Sequence, residues 1–292
     1  RMTQTNFSVR TGDGASIQLM RWGQSTGKPV LHWAHATGFS AKTYTPMLNK
    51  LMPHFDVHSW DMRGHGESRD AGKPKTFRGW TTYYNDLVAV LDQAQAPMWL
   101  AGHSIGATTS LAAAAQRPQK VKGLILIEPV LLDPKQGWAL KLANWFGFAN
   151  RIAMASAAAR RRASFSSHEE AFENYRNKKA FSTWSDEWLN AYVQHGFVAK
   201  GIDEVELACK PDWESLTFQH TEPDAIRWMK NPGCPIHILA AGKGSTFPAT
   251  AHARIQKRLP HARIEVLADA THFLPMEHTD LVVQRIREVA GV

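Results

Sequence analysis

Ser104 sits at the centre of Gly102-His103-Ser104-Ile105-Gly106, between the apolar run Pro97–Ala101 and the small-residue stretch Ala107–Ala115. The pattern G-x-S-x-G between a strand and a helix holds a serine on a tight, strained turn with its hydroxyl presented outward. Bulky side chains two residues away on either side would meet neighbouring backbone, so the small residues are a mechanical requirement. A serine hydroxyl is a poor nucleophile at neutral pH. Attack on an acyl carbonyl needs a base to take its proton and a carboxylate to orient that base. Of the 14 histidines, His272 in Ala268-Asp269-Ala270-Thr271-His272-Phe273 is placed for the task. It follows the last predicted strand and therefore falls at the sheet edge that carries Ser104.

The elements that must position these residues alternate along the chain. Phe7–Arg10 and Ser16–Trp22, joined by the turn Thr11–Gly14, pattern as an antiparallel hairpin. Val30–Ala34 is a compact apolar strand ending in the loop His35-Ala36-Thr37-Gly38-Phe39-Ser40, and Thr45–Leu51 carries Pro46 in the first turn of a helix. Phe55–Trp60 is the next strand, running into the Gly-punctuated loop Asp61–Ser68. Trp80, Tyr83, Tyr84, Leu87, Val90 and Leu91 share one helix face, and Val121–Ile127 is a buried strand that terminates at Glu128-Pro129. Alternation at this pace predicts a mostly parallel sheet covered on both faces, with its ligand site at the carboxyl ends of the strands.

From 130 to 232 the alternation stops. Apolar residues recur at helical spacing (Trp138, Leu142, Trp145, Phe146, then Trp184, Trp188, Leu189, Tyr192), and six of the 11 tryptophans fall here. The segment reads as a helical insertion covering the sheet edge, its tryptophans mostly packing it down. The sheet resumes with Ile236–Ala240, a helix near Ala249–Leu259, the strand Arg263–Leu267 and a helix from about Thr279. This division gives a core of residues 1–129 and 233–292, within a length that can bury a large interior.

Charge and cysteine usage narrow the classes further. The net charge of +8 is dispersed, apart from Arg160–Arg162 and Lys178-Lys179, and 130–232 balances thirteen basic against thirteen acidic residues. With no nucleic-acid motif beside it, the excess reads as a solvated basic surface, and no nucleic-acid partner is expected. Cys209 and Cys234 have neither metal-ligand nor C-x-x-C spacing, consistent with free thiols in a reducing compartment. No signal-like apolar region follows the polar opening residues, and no stretch has the length to span a membrane. The expectation is a cytoplasmic protein without stable membrane insertion; the oligomeric state is left open.

The elbow at Ser104, the loop His35-Ala36-Thr37-Gly38-Phe39, the D-x-R-G-x-G-x-S stretch from Asp61 to Ser68 and the late His272 together resemble the α/β-hydrolase fold superfamily, in its subgroup with a helical cap. The resemblance covers nearly the whole chain. It implies an eight-stranded, mostly parallel sheet with the cap inserted after the sixth strand. It maps the oxyanion hole onto the backbone N–H groups of Thr37 and Ile105, although His35-Ala36 in place of the usual His-Gly admits a shift of a residue or two. Asp61, Arg63 and Gly64 correspond to loop-stabilising positions. The family's acid commonly stands three residues past a glycine after the seventh strand, where this chain has Ser245 in Gly242-Lys243-Gly244-Ser245. The alternative station, directly after the sixth strand, holds Glu128, with Asp133 in reserve; Asp269 is expected to shape the loop of His272. His35, Phe39, His103, Trp138 and Phe273 are expected to contact substrate. The implied activity is hydrolysis of small to medium apolar carboxylic esters without metal or organic cofactor. Carbon–carbon bond hydrolysis, lactone hydrolysis and a non-catalytic ligand-binding role are the alternatives.

Overall fold

The computed structural model describes residues 4–24, 27–145 and 162–292. Its main sheet contains β1 (Gln4–Arg10), β2 (Ser16–Trp22), β3 (Val30–Ala34), β4 (Asp56–Trp60), β5 (Met98–His103), β6 (Val121–Ile127), β10 (Ile236–Ala241) and β11 (Ala262–Leu267). Their order is β1-β2-β4-β3-β5-β6-β10-β11. The pairs β1/β2 and β2/β4 are antiparallel and every other pair is parallel. The mostly parallel eight-stranded sheet expected from the sequence is therefore present.

Helices cover both faces because the central strands are apolar on both sides, as buried parallel strands must be. Successive residues divide between two cores: Leu100, Leu124, Leu126 and Ile238 face one, Ala101, Ile125, Ile127 and Leu239 the other. The first core is closed by α2 (Thr81–Gln93), α3 (Ile105–Gln116) and α8 (Ala249–Arg258), the second by α1 (Thr45–Leu51), α9 (Leu274–Glu277) and α10 (Thr279–Ala290). α1 has the predicted bounds, and α2 starts at Thr81 on the predicted face.

Between β6 and β10 lie α4 (Pro134–Trp145), α5 (His168–Arg176), α6 (Asp186–Gly196) and α7 (Pro211–Gln219). Phe146, Arg160 and Arg161 lie outside the described residues. The segment is not purely helical: β7 (Ser164–Phe165), β8 (Phe197–Ala199) and β9 (Val205–Leu207) form a small antiparallel sheet in the order β7-β9-β8. Strands of two or three residues are too short to display period-two alternation, and so leave no trace in the apolar pattern. Ser167 and Ser185 accept hydrogen bonds from the Glu170 and Trp188 amides, capping α5 and α6. Trp184, Trp188 and Trp213 are buried, whereas Trp228 is exposed.

Candidate active site

The turn between β5 and α3 places Ser104 in the left-handed half of backbone space, at φ 56° and ψ −121°. Its flanking glycines are sterically required. A Cβ on Gly102 would lie 2.5 Å from the Gly106 carbonyl carbon, and one on Gly106 would lie 2.1 Å from the Ala34 oxygen. The Ser104 amide donates to the Ile127 carbonyl at 3.0 Å, tying the turn to β6. Ile105 opens α3, so its N–H is one of the donors that a helix start leaves without an intrahelical partner.

Glu128 follows β6, also with positive φ (48°), and is fully buried. One carboxylate oxygen accepts from the Ala241 amide at 2.6 Å and from Ser245 Oγ at 2.5 Å. The other accepts from the Thr246 amide at 3.2 Å and faces His272 Nδ1 at 3.0 Å. A carboxylate only accepts, so His272 carries its proton on Nδ1 and turns an acceptor Nε2 toward Ser104 Oγ, 2.9 Å away. Ser104, His272 and Glu128 are thus one hydrogen-bonded chain. Ser245, at the station where the family more often has its acid, donates to the Glu128 carboxylate. Asp133 is not part of this chain: it caps α4 through the Gln136 amide at 2.9 Å and accepts from Thr250 Oγ1. Asp269 pairs with His278 at 3.4 Å, while the loop of His272 is held by the Thr271 amide donating to Glu277.

In the loop after β3, most amides are already engaged. The Ala36 N–H donates to Tyr44 Oη (3.2 Å), the Gly38 N–H to His65 Nε2 (3.0 Å) and the Phe39 N–H to the Ala36 carbonyl (3.2 Å). The Thr37 N–H has no acceptor among the described residues. Its direction is fixed from the other side of the peptide plane, because the Ala36 carbonyl also accepts from His35 Nδ1 at 2.8 Å and a trans peptide points N–H opposite to C=O. The Met62 amide donates to His35 Nε2 at 2.9 Å. Asp61 braces the same region by accepting from the Ala41 and Glu67 amides, each at 2.8 Å. Arg63 forks onto buried Asp86 and onto Asp13, and a Cβ on Gly64 would strike Trp213 at 2.4 Å.

Burial pushes the imidazoles of His35, His65 and His103 down to about 4, 3 and 3, so all three are neutral and keep one ring nitrogen free to accept a hydrogen bond from an amide or hydroxyl. His35 and His103 were expected to touch substrate. Both rings are fully buried, with both nitrogens engaged by the protein. Phe39 is buried against Tyr44, Trp184, Tyr192 and Phe273. Half-buried Phe273, next to His272, stacks with Phe181 at 6.5 Å. Trp138 is 65% exposed, so most of its indole faces solvent. Sequence reasoning missed Tyr44, His65 and Thr246, although the D-x-R-G-x-G loop containing His65 was singled out.

A family model described as the alpha/beta hydrolase fold matches residues 35–279. The chain belongs to the α/β-hydrolase fold family. This α/β-hydrolase is 30% identical over 139 residues to monoglyceride lipase of Rattus norvegicus, an alignment covering 44% of the chain and 45% of the rat protein. It is 36% identical over 100 residues to the pimeloyl-[acyl-carrier protein] methyl ester esterase of Xanthomonas oryzae pv. oryzae, covering 34% and 36%. The chain thus spans less than half the length of these curated relatives. The solved structure of E-2-(acetamidomethylene)succinate hydrolase superimposes with a TM-score of 0.79 at 17% identity, over 99% of this chain and 100% of that one, a likeness of fold. Among the described residues of the α/β-hydrolase, no helix is long and apolar enough to cross a membrane. None of their His, Cys, Asp and Glu side chains forms a group of three or more suited to a metal ion.

Proposed function

We propose that the chain is a serine hydrolase that cleaves carboxylic esters of short to medium acyl chains through an acyl-enzyme. One observation carries the reading: hydrogen bonding runs unbroken from Ser104 Oγ through His272 to Glu128. His272 Nε2 takes the hydroxyl proton as Oγ attacks the carbonyl carbon. The tetrahedral oxyanion is received by the N–H groups of Thr37 and Ile105, each such donor being worth about 3–4 kcal/mol of transition-state stabilisation. The intermediate collapses as His272 returns the proton to the leaving alcohol. Water then repeats the sequence on the acyl-enzyme, deprotonated by the same nitrogen, and Ser104 leaves with its proton restored. Glu128 holds the Nδ1–H tautomer by accepting from it and balances the imidazolium.

Residues 130–232 act as a cap in this reading. Trp184 rests edge-on against Phe39 and Phe273, making an aromatic wall beside His272 that suits an apolar acyl group. The names of the matched lipase and esterase favour ester substrates; that of a matched 2-(acetamidomethylene)succinate hydrolase keeps a second reading, hydrolysis of another acyl-type bond by the same residues. Treatment with a fluorophosphonate, read by intact and peptide mass, alongside turnover of p-nitrophenyl acetate, butyrate and octanoate, tests the proposal. The expected result is a single adduct on Ser104 with turnover favouring the shorter chains. Folded protein that takes no adduct and turns over none of the three would refute it.

A further inference from the structure

Tyr44 stands just ahead of α1, far in sequence from the elbow, yet its hydroxyl meets two parts of the site. It lies 3.2 Å from the Ala36 amide nitrogen and 2.7 Å from His103 Nδ1. The opposite nitrogen of His103, Nε2, lies 2.7 Å from the backbone carbonyl of His272. Elementary donor and acceptor rules fix every proton along this path. A carbonyl only accepts, so His103 Nε2 carries the hydrogen, and in the neutral, fully buried ring Nδ1 does not. Nδ1 must then accept from the Tyr44 O–H, and the Tyr44 oxygen is left to accept from the Ala36 N–H. The result is one directed path from the loop carrying the Thr37 amide to the main chain of His272. Both side chains are fully buried, so water does not compete for these bonds. The tyrosine ring packs against Trp33 and, at right angles, Trp188, with ring centroids 5.0 and 5.9 Å away.

We infer that Tyr44 and His103 are positioning residues, a relay that holds the oxyanion loop in register with the backbone of the catalytic base. The inference rests on the serine-hydrolase reading above. Neither residue faces substrate; each acts through the groups it holds. Ser104 adjoins His103, so the relay crosses the elbow and joins the components that must meet within a few tenths of an ångström in the transition state. Side chains that merely filled space here would have no need of the polar atoms, and burying polar atoms is unfavourable unless each is satisfied.

The test is steady-state kinetics of Tyr44→Phe, His103→Leu, His103→Gln and the double variant Tyr44→Phe/His103→Leu on p-nitrophenyl acetate. Tyr44→Phe should lower kcat about tenfold or more, less than loss of an oxyanion donor itself, with KM nearly unchanged. His103→Gln, which keeps a donor and an acceptor, should retain more turnover than His103→Leu. The double variant should be little worse than the poorer single one, because both break the same path. A measurement that needs no variant is the tautomer of His103 by nitrogen NMR: Nε2–H is expected, and Nδ1–H would overturn the relay. An active wild type whose folded Tyr44→Phe variant keeps kcat within about twofold would likewise overturn the positioning role alone. A wild type that neither labels at Ser104 nor turns over ester would bring down the hydrolase reading and the relay together.

Discussion

Replacing Glu128 is the sharpest experiment at the scale of single residues. Glu128→Gln keeps the volume but can present an amide N–H to His272 Nδ1, which favours the wrong tautomer; kcat on p-nitrophenyl acetate should fall by about 10³–10⁴. Asp133→Asn should stay close to wild type, since Asp133 serves α4 and Thr250. A reversed ranking would reassign the acid. How far such roles can be read in advance depends on where their signals lie. Ser104 carries its own signature within five residues, and His272 follows from chain order. Glu128 is reached only through the family resemblance, which offers the station after the sixth strand where Ser245 leaves the more frequent one without a carboxylate, with Asp133 in reserve. Tyr44 has no such mark: its two partners lie eight and 59 residues away, and a tyrosine before a helix looks like any other core aromatic.

At the scale of elements, the elbow depends on what its glycines leave out. A methyl group at Gly106 would sit 2.1 Å from the Ala34 carbonyl oxygen, and backbone at the centre of a sheet does not yield as the tip of a flexible side chain would. Gly106→Ala should cost about 3 kcal/mol or more of stability, read as a lowered urea midpoint. Gly12→Ala, where an added Cβ meets nothing within 4 Å, should leave that midpoint nearly unchanged. The strand and helix bounding the elbow were legible from the apolar run and the small-residue stretch that flank the G-x-S-x-G turn. The small sheet of β7, β8 and β9 was not, because register and backbone pairing, rather than side-chain pattern, define strands of that length.

For the molecule as a whole, buried imidazoles govern the response to acid. His32, like His65 and His103, is pushed down to about 3, and His35 to about 4. In the unfolded chain all four titrate near 6.5, so below that pH the unfolded state binds protons that the folded state refuses. Their contribution is fully present above about pH 6.5 and is lost as pH falls toward 4 and 3. Asp86, raised to about 6, and Asp61, also raised by burial, act oppositely by binding protons in the folded state first. They return at most one proton each, leaving a net uptake of about two on unfolding, or roughly 2.7 kcal/mol lost per pH unit. Against a typical domain stability of about 5–15 kcal/mol, this predicts a urea midpoint, read by circular dichroism, that falls steadily as pH drops from about 6.5 to 4. A midpoint unchanged or raised over that range would contradict it.

The backbone records something that side-chain geometry does not. Among the described residues, the non-glycine positions with positive φ are Ser104 and Glu128, at the ends of the adjacent strands β5 and β6. Glycine would occupy either position at less cost, since a side chain in the left-handed region adds on the order of 1 kcal/mol of strain. A lineage that used this fold solely to hold a ligand would gain by relaxing both turns, one substitution at a time, without disturbing the sheet. On the proposed serine-hydrolase reading, a serine and a carboxylate held there trade folding stability for catalysis.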